Sequence, residues 1–225
     1  MRKGFLTIVL TSIIILAAAS PVSAAFTLTR LFLSSPEKTL SDVTYSLGNR
    51  NKDPFVNEVF TDNILLTLAY LSGSVESVDQ ISWESIKAPG VSKLTLKPGE
   101  IFAFHDTALD KYQGKIVLTT NAHFNSQEGF RSSGYLVGDG VCHLASFLKV
   151  AAKKAGLMIE APVRHDFAPI ANVDKEDGVS IFYNPFDKNT STQQNLYITN
   201  TNSKTIAFVF SHNNHDLNIK VLEFN

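Results

Sequence analysis

The stretch that most constrains this chain is Gly138-Asp139-Gly140-Val141-Cys142 and the run that follows it to Gly156. Val141, Leu144, Ala145, Leu148, Ala151, Ala152 and Ala155 recur at the three-and-four spacing of a buried helix face. Lys149, Lys153 and Lys154 fall opposite them, and Gly156 stands where a C-terminal cap is expected. The only cysteine of the 225-residue chain therefore lies in the first turn of an amphipathic helix. A helix start offers unpaired N–H groups and a partial positive charge, both of which favour thiolate over thiol. The position suits a nucleophile. A buried filler or an intermolecular bridge are the plainer readings, because one cysteine cannot close an internal disulfide.

The chain opens with Arg2 and Lys3, an apolar core over 5–19, and the small-residue site Val22-Ser23-Ala24. That pattern predicts a signal peptide over 1–24, cleaved before Ala25, and hence a secreted or cell-envelope protein. The apolar run is short for a membrane span, so no stable span is expected after cleavage; an uncleaved anchor is the alternative. The 20 Lys and Arg, less Arg2 and Lys3, face 21 Asp and Glu. Such mild acidity argues against nucleic acid as a partner.

Residues 25–52 read as a polar lead-in to a domain over 53–225. Asp53-Pro54 reads as a cap with proline at the first helical position, and 55–71 as a largely buried helix ended by Gly73. The segments 93–96 and 101–105 alternate around Lys97-Pro98-Gly99-Glu100 and predict a hairpin. A strand over 115–120 and a long polar loop over 121–138 follow. Beyond the cysteine helix, strands are expected at 157–165, 179–184, 196–200, 205–211 and 217–224, with turns at 189–192 and 200–203. Helices ahead of an antiparallel run argue α+β: one compact domain with the cysteine helix packed on an antiparallel sheet.

Several of these motifs, taken in order, resemble the VanW family. They are Lys97-Pro98-Gly99-Glu100-Ile101-Phe102-Ala103-Phe104-His105, Gly138-Asp139-Gly140-Val141-Cys142-His143, Ala155-Gly156-Leu157, His165 and Asp177-Gly178-Val179. Asn63-Ile64, Gly73 and 195–201 extend the likeness to most of the region after the leader. The chain departs from the family pattern at Asp139 for the middle glycine, His143 for glutamine, His105 for asparagine and Asp166 for serine. The resemblance implies an exported bacterial cell-envelope protein, and cell-wall peptide or peptidoglycan as its partner. It implies no mechanism.

The order Cys142, His165, Asp177 is also that of papain-like and transglutaminase-like thiol enzymes, whose core this chain is expected to resemble. There the helix stabilises the thiolate, the imidazole carries the proton and the carboxylate orients the imidazole. Asp166 and Asp174 compete for the third role. If the three meet, the chemistry is thiol-dependent acyl transfer or amide cleavage on cell-wall peptide. If they do not, His165 and Asp177 cap loops, and the protein binds peptidoglycan or a partner without catalysis. Gly140, His143, His105 and Tyr135 are candidates for substrate binding, with His123, Phe104, Tyr112, Phe124 and Phe130 in or beside the long loop. His212 and His215 have ligand-like spacing but read as a turn; no metal and no cofactor are expected.

Overall fold

The computed structural model describes residues 38–134, 137–213 and 215–225. The leader over 1–24, the start of the lead-in and Tyr135 lie outside the described residues. Among the described residues no helix is long and apolar enough to cross a membrane.

The architecture is α+β, with two four-stranded sheets. The elements run β1 (Lys38–Ser46), α1 (Pro54–Leu71), α2 (Trp83–Lys87), β2 (Gly90–Leu96), β3 (Ile101–Ala103), β4 (Ile116–Leu118) and α3 (Val141–Lys154). Then come β5 (Met158–Glu160), α4 (Lys188–Gln193), β6 (Tyr197–Thr199), β7 (Thr205–His212) and β8 (Asp216–Phe224). The first sheet has the order β1-β8-β7-β2 and is antiparallel throughout. In β8, Leu217, Ile219 and Val221 point inward at the period of two that a half-buried strand requires. The second sheet, β4-β3-β6-β5, is built of three-residue strands and pairs β3 with β4 in parallel.

The cysteine helix α3 packs on β1 and β8 of the antiparallel sheet, and also on α1 and β5. Phe147 stacks on Tyr45 of β1 with ring centroids 3.8 Å apart. Leu144, Ala145, Leu148, Ala151 and Ala152 are buried, as their spacing requires. Burying one Leu or Phe side chain is worth about 1.5–3 kcal/mol, so this face sets the helix's position.

Asp53 caps α1 by accepting from the Phe55 and Val56 amides at 2.9 and 3.1 Å, with Pro54 in the first turn. Four other expectations are corrected. The lead-in contains β1, where Ser41, Val43 and Tyr45 alternate inward against β8. The Lys97–Glu100 turn forms, with the Glu100 amide on the Lys97 carbonyl at 3.0 Å, but it joins no hairpin. It instead hands the chain from β2 in the first sheet to β3 in the second. The segment 179–184 forms no strand: the Val179 and Ile181 amides bond to side chains of α3 instead of to a neighbouring strand. Residues 189–192, read as a turn, lie inside α4 (Lys188–Gln193), capped by Asp187 on the Thr190 amide at 3.0 Å.

Candidate functional site: a cleft at the head of the cysteine helix

The turn before Cys142 is tight because its glycines admit neighbouring backbone. Gly140 has φ +98°, and a Cβ there would sit 2.5 Å from the Phe60 carbonyl oxygen of α1. Gly138 has φ +84° and meets the Phe124 carbonyl in the same way at 2.9 Å. Asn63 of α1 locks the arrangement, donating to the Arg131 and Asp139 carbonyls at 2.9 and 2.8 Å and accepting from the Arg131 amide at 2.8 Å. The glycines therefore answer to packing first, and to any ligand second.

The head of α3 opens on a cleft of about 360 Å³ lined by Arg50, Gly140, Cys142, His143, His165 and Tyr183, among others. Two of the three catalytic candidates, Cys142 and His165, thus share one cavity. Asp177 does not join them. Its carboxylate takes two hydrogen bonds from Lys153 Nζ, at 2.8 and 3.0 Å, and opens on a separate polar groove beside Tyr45 and Asp42. The His165 Nδ1 faces the Ala168 carbonyl at 3.0 Å. Among the described residues no hydrogen bond joins His165 to Cys142 or to Asp177. The Cys142–His165–Asp177 relay expected from residue order is therefore not assembled here. His165 lies in a loop and Asp177 ends a short 3-10 helix (Lys175–Asp177), and their side chains take different partners, which sequence spacing does not encode.

The sulfur has other partners. Cys142 Sγ accepts from the Ile181 amide at 3.4 Å and donates to the Ile181 carbonyl at 3.6 Å. One turn on, Ser146 Oγ accepts from the Val179 amide at 2.9 Å and donates to the Cys142 carbonyl at 2.7 Å. Cys142 and Ser146 together fasten the segment 179–181 to the helix. Burial pushes the thiol up to about 11, with the Ile181 amide opposing. The helix start does not outweigh desolvation, and the thiol is the resting form. His165 is held below the ordinary imidazole range by burial.

The substrate-binding candidates divide. Gly140 and His143 line the cleft. His143 is pushed down to about 3 by burial, with Arg50 and His165 adding to the effect, so it is a neutral imidazole. His105 does not line the cleft. It is fully buried, with Nε2 3.2 Å from the Gln194 carbonyl and Nδ1 3.3 Å from Asn195 Nδ2, and so it is a core histidine. Tyr135 lies outside the described residues. His123 also lines the cleft; its ring lies tilted against Tyr183, centroids 4.1 Å apart, and is gripped by Glu128 and Asp106 at 3.0 and 3.1 Å.

Three contributors went unread in the sequence. Arg50 lies in the supposed lead-in, and nothing in its neighbours marks it as buried. Ile181 acts through backbone alone. Tyr183 carried the best signal, an aromatic after an apolar run in a segment read as a strand. No protein-family model, no curated protein and no solved structure matches this chain.

Proposed function

We propose that this chain is an exported, VanW-like cell-envelope protein whose cleft at the head of α3 binds cell-wall peptide without cleaving it. The observation that carries the non-catalytic half is the state of the sulfur, hydrogen-bonded both ways to Ile181 and lifted to about 11. An attacking thiolate must be ionised near neutral pH and served by a base. The envelope setting rests on the leader pattern over 1–24 and on the ordered motifs. The peptide rests on the cleft's mixed lining of aromatic rings, imidazoles and a guanidinium.

A second reading is thiol-dependent acyl transfer on the same peptide, in a papain- or transglutaminase-like core. It is favoured by the shared cleft of Cys142 and His165. Iodoacetamide labelling against pH, for the protein and for His165→Ala, separates the two. The binding reading expects labelling no faster than unfolding at neutral pH, identical curves for both proteins, and co-sedimentation of Cys142→Ser with purified peptidoglycan. Rapid neutral labelling that His165→Ala moves to higher pH would establish the enzyme instead. Loss of sedimentation by the unaltered protein would remove peptidoglycan as the ligand.

A further inference from the structure

The cleft contains a cation without a counter-ion. Arg50 is only 4% exposed, yet it forms part of the cleft wall. Its Nη1 donates to the Ala171 carbonyl at 3.2 Å and its Nη2 to Asn49 Oδ1, while Nε has no partner. Among the described residues no carboxylate forms an ion pair with it. Burial lowers it only to about 10, so it is charged at neutral pH. A buried charge is ordinarily paired with an opposite one; here the guanidinium has two neutral acceptors and the Phe147 ring, 5.0 Å from its central carbon, but no anion.

Nearby acids are committed elsewhere. Asp177 holds Lys153, and Asp139 accepts from Ser133 N and Oγ at 3.0 and 2.6 Å. Asp106 and Glu128 grip His123, and Asp166 pairs with Arg164. Next to Arg50 stands His143, 5% exposed, whose Nδ1 is buried with no partner. Its ring meets Phe60 edge-on at 5.0 Å and lies 6.2 Å from His165. The helix start supplies a third unsatisfied group. Gly140 offers no capping oxygen, and the Cys142 amide has no oxygen acceptor among the described residues. Arg50 Nε and His143 Nδ1 thus lack a partner, and the Cys142 amide lacks an oxygen acceptor, all in the lining of one cleft.

We propose that the inner wall of the cleft is an anion subsite, where Arg50, His143 and the head of α3 receive the terminal carboxylate of the bound peptide. The assignment rests on the cleft being a ligand site, and it names the chemistry of the ligand's anchored end. A carboxylate attached to an organic body fits better than a free phosphate. The outer wall carries Phe167, 75% exposed, with Phe182 and Tyr183, and these rings would cover apolar or amide surface.

The test is a ¹H–¹⁵N titration of the protein with N-acetyl-alanine, N-acetyl-alaninamide and inorganic phosphate. N-acetyl-alanine is expected to move the Cys142, His143 and Tyr183 amides saturably, at least tenfold more tightly than the amide analogue. Phosphate is expected to bind more weakly and to leave Tyr183 unmoved. Arg50→Gln should abolish the preference for acid over amide, and Arg50→Lys, which keeps the charge, should retain part of it. The acid-to-amide ratio is measured on the unaltered protein, so it stands even where a variant fails to fold. Equal affinity for acid and amide at these residues would overturn the anion subsite and leave the cleft as a ligand site. No shift at any of them would overturn both. Phosphate binding as tightly as N-acetyl-alanine would overturn the carboxylate assignment.

Discussion

The two ends of the cysteine helix are finished in opposite ways. At the C-terminal end the backbone closes on itself: the Ala155, Gly156 and Leu157 amides bond the Ala151, Lys153 and Ala152 carbonyls at 3.0–3.1 Å. Lys153 grips Asp177 there, and Lys149 donates to the Glu176 carbonyl at 2.7 Å. At the N-terminal end the cap residue has no side chain, the Cys142 amide has no oxygen acceptor, and Arg50 and His143 keep orphaned nitrogens. Packing is tight at both ends, so looseness does not explain the contrast. One end is a closed structural joint, and the other has unmet hydrogen-bonding capacity buried in the wall of a cleft. That distinction, more than the presence of a cysteine, motivates the proposed anion subsite.

Acid should break the comparison most visibly, because a buried neutral imidazole, His143, lines the cleft, while a second, His105, lies in the core. His105 is pushed down to about 4 and His143 to about 3, burial being the main cause in each. Between those values and about 6.5 the unfolded chain binds protons that the folded chain refuses. Stability is therefore fully present above about 6.5 and falls as pH drops towards the folded values. For His105 alone the loss is on the order of 3 kcal/mol across that window. Urea midpoints measured from pH 7.5 to 4 should decline steadily, and His105→Asn with His143→Phe should flatten the decline. A midpoint insensitive to pH in the unaltered protein would mean that these rings are hydrated.

The next effect sets one glycine of the helix against another. Gly140→Ala combines a left-handed backbone with a Cβ 2.5 Å from the Phe60 oxygen, and should cost about 3 kcal/mol or more. Gly156→Ala has a similar backbone, φ +72°, but open space around it, so about 1 kcal/mol is expected. Equal losses in chemical denaturation would show that the head of α3 can shift away from α1, and that its geometry is not set by packing.

Much of this fold was legible because it is local. The α3 face, the Asp53 cap and the strand segments of β7 and β8 each follow from short-range sequence patterns. Even β1 left a trace, since Ser41, Val43, Tyr45 and Leu47 are all buried at a spacing of two; the polar residues between them hid it. What stayed hidden is non-local. Lys97–Glu100 looks the same whether the next strand turns back or crosses to another sheet. Residue order likewise says that Cys142, His165 and Asp177 follow one another, but not which way a loop carboxylate leaves the chain. The burial of Arg50 depends on Asn49 and on Ala171, 121 residues away, and no local pattern records it.

The smallest expected effect bears most directly on that last point. In a thiol relay Asp177 would orient His165, and Asp177→Asn would slow any reaction of Cys142 through the imidazole. Here the carboxylate belongs to the closed end of the helix, bound to Lys153, whose ammonium is solvent-accessible and so contributes little. Asp177→Asn should therefore lower the unfolding midpoint only slightly, and Lys153→Gln should do the same. Because the two act on one contact, the double variant should lose no more than either single one. The cleft should not notice: the iodoacetamide labelling curve of Cys142 and the N-acetyl-alanine affinity should match the unaltered protein's. If Asp177→Asn instead changed the pH dependence of Cys142 labelling while Lys153→Gln did not, Asp177 would have to reach His165 in solution. The two ends of the helix would then belong to one site, and the relay read from residue order would be restored.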